Sequence, residues 1–421
     1  MKTIPIIIFS AATLLGAATS SHAVTIIVDT LESSVDDDGM CSLAEAILNA
    51  NSAAVVSSDC GPGGATGTTI QFDPSLAGGT IELTLPLQYI AADLQIEGPG
   101  HGPDSLTIDG MDNWWLFKTE SAITLQLSDM TLTRGRDTNF GGGAVQAYGG
   151  ADVTLQRTRL VGNSSESSAA HGGAISVIDS SLSLIDSEAS DNQVFGGSAG
   201  GGAISASNST LSIHRSTISG NRAHSSIAGG ILLREGSELT AVNSTISGNH
   251  SHVGGGGLYV DRSDATLVHT TVAFNIAGTQ PTHLTQDIAL VSTSSDPATL
   301  VLDNSLVVQG ASDLRTCAGG SIINTGSLST HDSCTGTATE VEDIGLLGLA
   351  DNGGLPWIRT HALPPSSVAV GAAGDCVGDY GVTVDQRGNP RPGGDSGACD
   401  VGSFEVQSAA IFGDRFEETV Q

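Results

Sequence analysis

Hydrophobic and polar residues alternate in short runs along most of this chain, as in Val153-Thr154-Leu155-Gln156 and Leu211-Ser212-Ile213-His214. A period of two marks β-strands whose side chains point to two faces in turn. Gly or Asn separates the runs, and a helical pattern is convincing at one place. There Ser42-Leu43-Ala44-Glu45 forms a capping box that opens a short helix, with Ala46, Ile47 and Ala50 on one face.

The runs also repeat at longer range. Gly-Gly-Ala-Val at 142–145 is followed by Gly-Gly-Ala-Ile at 172–175 and 201–204, Gly-Gly-Ile at 229–231 and Gly-Gly-Leu at 256–258, in steps of 27 to 30 residues. A second signature ends in Asn and keeps the same period, at 157–163, 186–192, 215–221, 243–249 and 269–275, with weaker copies ending at Gly135 and Gln309. Two markers in phase indicate a solenoid. Three strands and three turns fit one coil, and stacking at about 4.8 Å lets each strand pair with its counterparts above and below. The pattern therefore predicts an all-β chain folded as a right-handed parallel β-helix of about seven or more coils, with a short N-terminal capping helix.

Aligning the coils predicts three columns. Leu132, Leu160, Ala189, Ile218, Ile246, Val272 and Leu306 form an inward apolar column. Gly135, Asn163, Asn192, Asn221, Asn249, Asn275 and Gln309 close the coils, where left-handed turns and amide stacking are expected. Asp129, Arg157, Asp186, Arg215, Asn243, His269 and Asp303 mark one corner, with charges that alternate in sign and would hold register.

Composition places this solenoid outside the cytoplasm. Lys2, an apolar run over 4–18 and Ser21-His22-Ala23 read as a secretory signal peptide over residues 1–23, leaving no stretch long and apolar enough to span a membrane. In an oxidising compartment the six cysteines are expected as local disulfides, Cys41/Cys60, Cys317/Cys334 and Cys376/Cys399, although spacing leaves the connectivity open. Net charge is -30, and loss of Lys2 with the leader makes it -31, which disfavours nucleic acid and anionic lipid. The remaining chain divides into a cap at 24–60, coils at 61–320, C-terminal coils and a module at 321–405, and a tail at 406–421.

Three groups of motifs resemble known families. Cys41-Ser42-Leu43-Ala44-Glu45-Ala46-Ile47 resembles the Cys-Ser-Leu-Arg-Glu-Ala motif of bacterial secreted β-helix proteins, with Ala44 in place of the Arg. The Gly-Gly-Ala-Ile and terminal-Asn repeats are similar to those of polymorphic outer membrane proteins. Asp351-Asn352-Gly353-Gly354, His361-Ala362-Leu363, Asp385-Gln386-Arg387-Gly388 and Cys399-Asp400-Val401-Gly402-Ser403-Phe404-Glu405 resemble the choice-of-anchor C-terminal module, and 411–417 resembles a short aromatic and acidic tail of some exported proteins, for which a sorting role is the hypothesis. These resemblances imply a pectin lyase-like solenoid exported by a bacterium, either secreted or held at the cell surface or outer membrane.

The fold hosts polysaccharide lyases and glycoside hydrolases, so residues must decide whether chemistry is present. A lyase needs a Lys or Arg base near calcium-binding carboxylates, and a hydrolase needs converging carboxylates. The mature chain holds one lysine, Lys118, and Gly100-His101-Gly102 reads as a turn despite its likeness to a polygalacturonase motif. Ligand-contact candidates are Arg157, Arg159, Glu188 and Arg215 on the charged column, and Trp114 and Trp115, adjacent on an expected strand with one ring outward. His224, His250 and His252 are the zinc candidates, and Asp36 and Asp38 are the calcium candidates, with no cofactor expected otherwise. The expectation is a monomeric, non-catalytic β-helix for adhesion or contact with a polysaccharide, and the alternative is a polysaccharide lyase or glycoside hydrolase working in a groove. N-terminal sequencing of the exported protein should begin at Val24, and a sequence starting at Met1 would refute the leader.

Overall fold

The computed structural model describes residues 24–407 apart from 53, 65–66, 140, 167–170, 197–199, 279–284, 310–314, 375, 377–379 and 394–396. The expected leader and the 411–417 tail motif lie outside the described residues. The chain is a right-handed parallel β-helix in which every strand from Val24–Val28 to Leu328–Ser329 pairs in parallel with its neighbours in adjacent coils. A typical coil runs through Ser181–Ile185, Glu188–Ser190, Gln193–Val194 and Ile204–Ser207, so it has four strand segments where the sequence suggests three. The first two are split by a corner and not by a loop. In Thr124–Thr133 and Asp152–Val161 they run on as one strand.

That corner is made by a single residue in the left-handed region. Asp129, Arg157, Asp186, Arg215, Asn243, His269 and Asn304 have φ between 44° and 59°. The corner column is therefore the expected one except at its end, where Asn304 and not Asp303 occupies it. The inward column ends likewise on Val307, which pairs with Val272, and not on Leu306. The step from His269 to Asn304 is 35 residues, against 26 to 29 between earlier corners, so an insertion hides the phase.

The interior is a set of aliphatic columns. Leu125, Val153, Leu182, Leu211, Leu239, Ala265 and Leu300 stack on one face, and Val145, Ile175, Ile204, Ile231, Leu258 and Ile288 on another, all almost fully buried. Each such Leu or Ile stabilises the fold by about 1.5–3 kcal/mol. The Gly-Gly repeats are required by crowding: a Cβ on Gly172 or Gly201 would lie 1.9 Å from the carbonyl of Ile175 or Ile204.

The asparagines form a buried ladder. Asn163 Nδ2 donates to Asn192 Oδ1 at 3.0 Å and to the Leu132 carbonyl, while its backbone N–H donates to the same Oδ1 at 2.9 Å. Asn192, Asn221, Asn249 and Asn275 repeat this pattern. They do not take up the left-handed turns expected of them. Those fall one residue earlier, at Arg134, Gly162, Asp191, Gly220, Gly248 and Phe274. Gln309 does not extend the ladder either, because Asp287 Oδ1 receives both Asn275 donors.

Both ends are closed. The helix Leu43–Ser52 buries Leu43, Ala46, Ile47 and Ala50 over the first coil, and its capping box is reciprocal: Ser42 N–H donates to Glu45 Oε2, and Glu45 N–H to Ser42 Oγ. Ala44 packs against the core. Disulfides join Cys41 to Cys60, Cys317 to Cys334 and Cys376 to Cys399. Beyond the short helix Asp332–Thr335 the chain leaves the solenoid and returns across the outward side of the second strand column. Ala273, Leu306 and Val308 point outward there, yet are buried against Leu363, Ala369, Val401 and Phe404.

Asp287 is fully buried, and its Oδ2 has no hydrogen-bond partner among the described residues. Desolvation pushes its pKa from 3.8 up to about 7, against two hydrogen bonds from Asn275. A folded-state value above the unfolded one gives stability that is complete below about pH 4 and is lost as pH rises through about 7. Asp287→Asn should therefore stabilise the protein at pH 8 by about 2–4 kcal/mol and much less at pH 4. Thermal melts of both proteins at the two pH values check this, and an equal gain at each would refute it.

Candidate functional site

The charged corner column is internally matched. Arg157 Nε and Nη2 donate to the two Asp129 oxygens at 2.6 Å each, and Arg215 grips Asp186 in the same way at 2.7 and 2.6 Å. These are fork-to-fork pairs, the stronger kind of ionic hydrogen bond. Further along, the column holds the C-terminal segment: Asn243 Nδ2 donates to the Val384 carbonyl, and Asn304 Oδ1 accepts from Gly374 N–H.

Next to this corner lies the outward side of the second strand column, with Glu188, Thr217, Ser219, Thr245, Ser247 and Thr271. The returning segment covers it. Gln386 accepts from the Thr245 hydroxyl at 2.6 Å and donates to Thr217 Oγ1 at 2.9 Å. His361 donates from Nδ1 to the Leu347 carbonyl, so its Nε2 accepts from Ser247 Oγ at 2.7 Å. Burial pulls this imidazole well below its usual range, which keeps it neutral and able to accept.

Glu188 is the anchor of this seam. Oε2 accepts from Arg159 at 3.1 Å, Oε1 accepts from Arg359 at 2.9 Å, and Arg359 also donates to Ser219 Oγ at 2.8 Å. The edge of the segment leaves a cleft of about 380 Å³ lined by Thr131, Arg159, Glu188, Asp191, Asp351, Trp357 and Arg359. Sequence reasoning singled out Arg159 and Glu188 here, but not Asp351, Trp357 or Arg359. Arg157 and Arg215 stay on the corner. His101 is exposed on the turn that precedes the short helix Gly102–Asp104.

A second concavity, of about 420 Å³, opens at the N-terminal end of the Gly-Gly face, bordered by Tyr89, Trp115, Lys118, Thr119, Gln146, Tyr148 and His171. Its rings come from successive coils, and the Tyr89 and Trp115 centroids are 6.3 Å apart. Lys118 Nζ sits 4.1 Å from the Trp115 ring centroid and is ion-paired with Asp137, both side chains being buried. His171 lies 3.2 Å from Ser176 Oγ, and burial lowers its pKa. Trp114 and Trp115 are not on a strand. They precede Phe117–Lys118 on an extended stretch after a turn, both half-buried, with Trp114 packed on the core.

The metal candidates do not assemble. Among the described residues no three His, Cys, Asp or Glu side chains converge in a metal-binding arrangement. His224 hydrogen-bonds Gln193 Oε1 at 2.8 Å and stacks on Phe195. The Asp36 and Asp38 stretch is an exposed turn, in which Asp38 Oδ1 accepts from Met40 N–H and Asp59 Oδ2 accepts from the Asp38 and Gly39 amides.

One family comparison agrees on architecture. A family described as the right handed beta helix region matches residues 143–335. No curated protein matches the chain. Among solved structures it is similar to the crystal structure of pectate lyase Pel9A, at 13% identity and a TM-score of 0.40, covering 91% of this chain and 96% of that one. No helix among the described residues is long and apolar enough to cross a membrane.

Glu188→Ala would leave Arg159 and Arg359 without their shared acceptor, at a cost of about 1–3 kcal/mol. Hydrogen exchange should quicken across 344–407 while the coils before residue 180 keep their protection. Unchanged exchange in that segment would refute the anchoring role.

Proposed function

We propose that this β-helix is an exported, non-catalytic protein that contacts glycan through the groove around Trp115. The observation that carries the reading is the combination of three aromatic rings with a polar floor that has no net charge. Tyr89 and Tyr148 are 47% and 48% exposed, and the Lys118 charge is cancelled by Asp137 beneath them. Aromatic faces stack on the apolar faces of sugar rings, while Gln146, Thr119 and Asn139 offer amide and hydroxyl partners to sugar hydroxyls. Neutral sugars suit this groove in a chain of net charge -30. Three disulfides fit the oxidising compartment that such a role requires.

A second reading, glycoside hydrolase or polysaccharide lyase, draws support from Glu188, Asp191 and Asp351 sharing a cleft with two arginines. Against it, both Glu188 oxygens are already held by arginines, which ties them to the fold.

Titration of the mature protein with a panel of neutral plant and bacterial oligosaccharides, followed by tryptophan fluorescence and calorimetry, tests the proposal. Trp115→Ala should weaken binding at least about tenfold, whereas Trp114→Ala should leave it near the parent value. Absence of binding across the panel refutes the contact role. New reducing or unsaturated ends would establish the enzyme reading instead.

A further inference from the structure

The narrow sheet that runs from Arg136–Asp137 to Ile276–Ala277 carries the remaining concentration of unusual side chains. On each rung one residue points inward, and the residues on either side point out. Rung by rung these outward pairs are Ser164 and Glu166, Gln193 and Phe195, Arg222 and His224, then His250 and His252. Two adjacent rungs, about 4.8 Å apart, thus present one guanidinium and three imidazoles as a square. Arg222 and His252 are exposed, and His224 and His250 are half-buried.

Among the described residues no carboxylate pairs with this square. Gln193 and Phe195 flank it on one side and Ile276 on the other. The carboxylates on neighbouring rungs are Glu166, two rungs away and ion-paired with Arg136, and Asp191 at the turn that leads into the Gln193 rung. Burial holds His224 and His250 below their usual range. The next causes are Arg222 with His250 for the first and Arg222 with His252 for the second, and no carboxylate pulls either upward. In a chain of net charge -30, a cluster whose members repel each other calls for an external anion.

Phe195 supplies the other half of the recognition. Its ring stacks on His224 at 4.4 Å with an interplanar angle of 10°, and it is 44% exposed, so the square continues into an exposed aromatic ring on the preceding rung. An exposed aromatic ring next to a guanidinium suits a sugar ring that carries an acidic group.

We propose that Arg222, His224, His250 and His252, with the exposed ring of Phe195, form a docking site for an anionic glycan whose carboxylate or sulfate groups meet the square. The site lies three rungs beyond Arg136 and is independent of the Trp115 groove. His224 Nε2 donates to Gln193 Oε1, so the proton taken up on acidification goes to Nδ1, which then becomes a second donor. Each imidazole protonated adds charge for the anion, and the bound anion in turn favours protonation. Binding therefore strengthens as pH falls, while Arg222 keeps a weaker interaction at neutral pH.

The test measures affinity of the full mature chain for a uronic-acid oligosaccharide, a sulfated oligosaccharide and a neutral one at fixed ionic strength, at about pH 5 and about pH 7.5. At least one anionic ligand should bind about tenfold or more tightly at the lower pH; whether the carboxylated or the sulfated one does so identifies the acidic group. The triple variant His224→Gln, His250→Gln, His252→Gln should abolish the pH dependence, and Arg222→Gln should weaken binding at both pH values. Arg315→Gln, which removes an exposed arginine from another sheet, should leave it unchanged. No anionic binding at the lower pH, a pH dependence that survives the triple variant, or an equal loss with Arg315→Gln would each overturn the proposal.

Discussion

A parallel solenoid has no tight hairpins to set its register, so something else must hold every coil at the same rotation over the last. In this protein the buried asparagine amides do it. From Asn192 to Asn275 each Oδ1 accepts two hydrogen bonds from the coil before, and each Nδ2 reaches back to a carbonyl of that same coil, so a coil displaced by one residue would strand several buried donors at once. The fork-to-fork pairs at the corner reinforce the same register from outside. With the coils so fixed, outward side chains line up in columns, and the Trp115 groove, the solenoid side of the cleft and the histidine square are built from such columns.

The C-terminal segment converts one of those columns from surface into interior. Its own shape is set by a compact ionic knot: Arg387 holds Asp385 through Nε at 2.9 Å, and Arg391 holds Glu405 at 2.7 Å, with Glu405 N–H donating back to Asp385. Burial raises the Glu405 pKa and lowers that of Arg391, so neither charge is tolerable without the other. The Asp-Gln-Arg-Gly and Cys-Asp-Val-Gly-Ser-Phe-Glu motifs are thus tied together structurally, with Gln386 and Ser403 left to grip the hydroxyls of the solenoid.

How much of this was legible follows from where the signals lie. The coils were readable from 130 to 275 because Gly-Gly and Asn each answer a local demand that no other residue meets as well: crowding against a carbonyl in one case, a self-complementary amide in the other. The reading slipped by one residue near Leu306 for a physical reason. Leu306 and Val308 face outward but are apolar because the returning chain covers them, so alternation there points the wrong way. The cleft was half visible: Arg159 and Glu188 lie on aligned coils, but Arg359 stands 171 residues from Glu188. The Trp115 groove was visible through its tryptophan alone, since Tyr89 and Tyr148 belong to neighbouring coils and follow no repeat.

The returning segment also orders events in time. Arg359, Gln386 and Ser403 close over coils whose residues precede them by 132 to 171 positions, so on a ribosome or at a translocon those coils emerge long before their cover. Until it arrives, Ala273, Leu306 and Val308 form a bare apolar strip above a row of unanswered hydroxyls. A chain cut short after residue 335 would keep that strip for good, and so would carry a mark of incompleteness that a chaperone or protease could read.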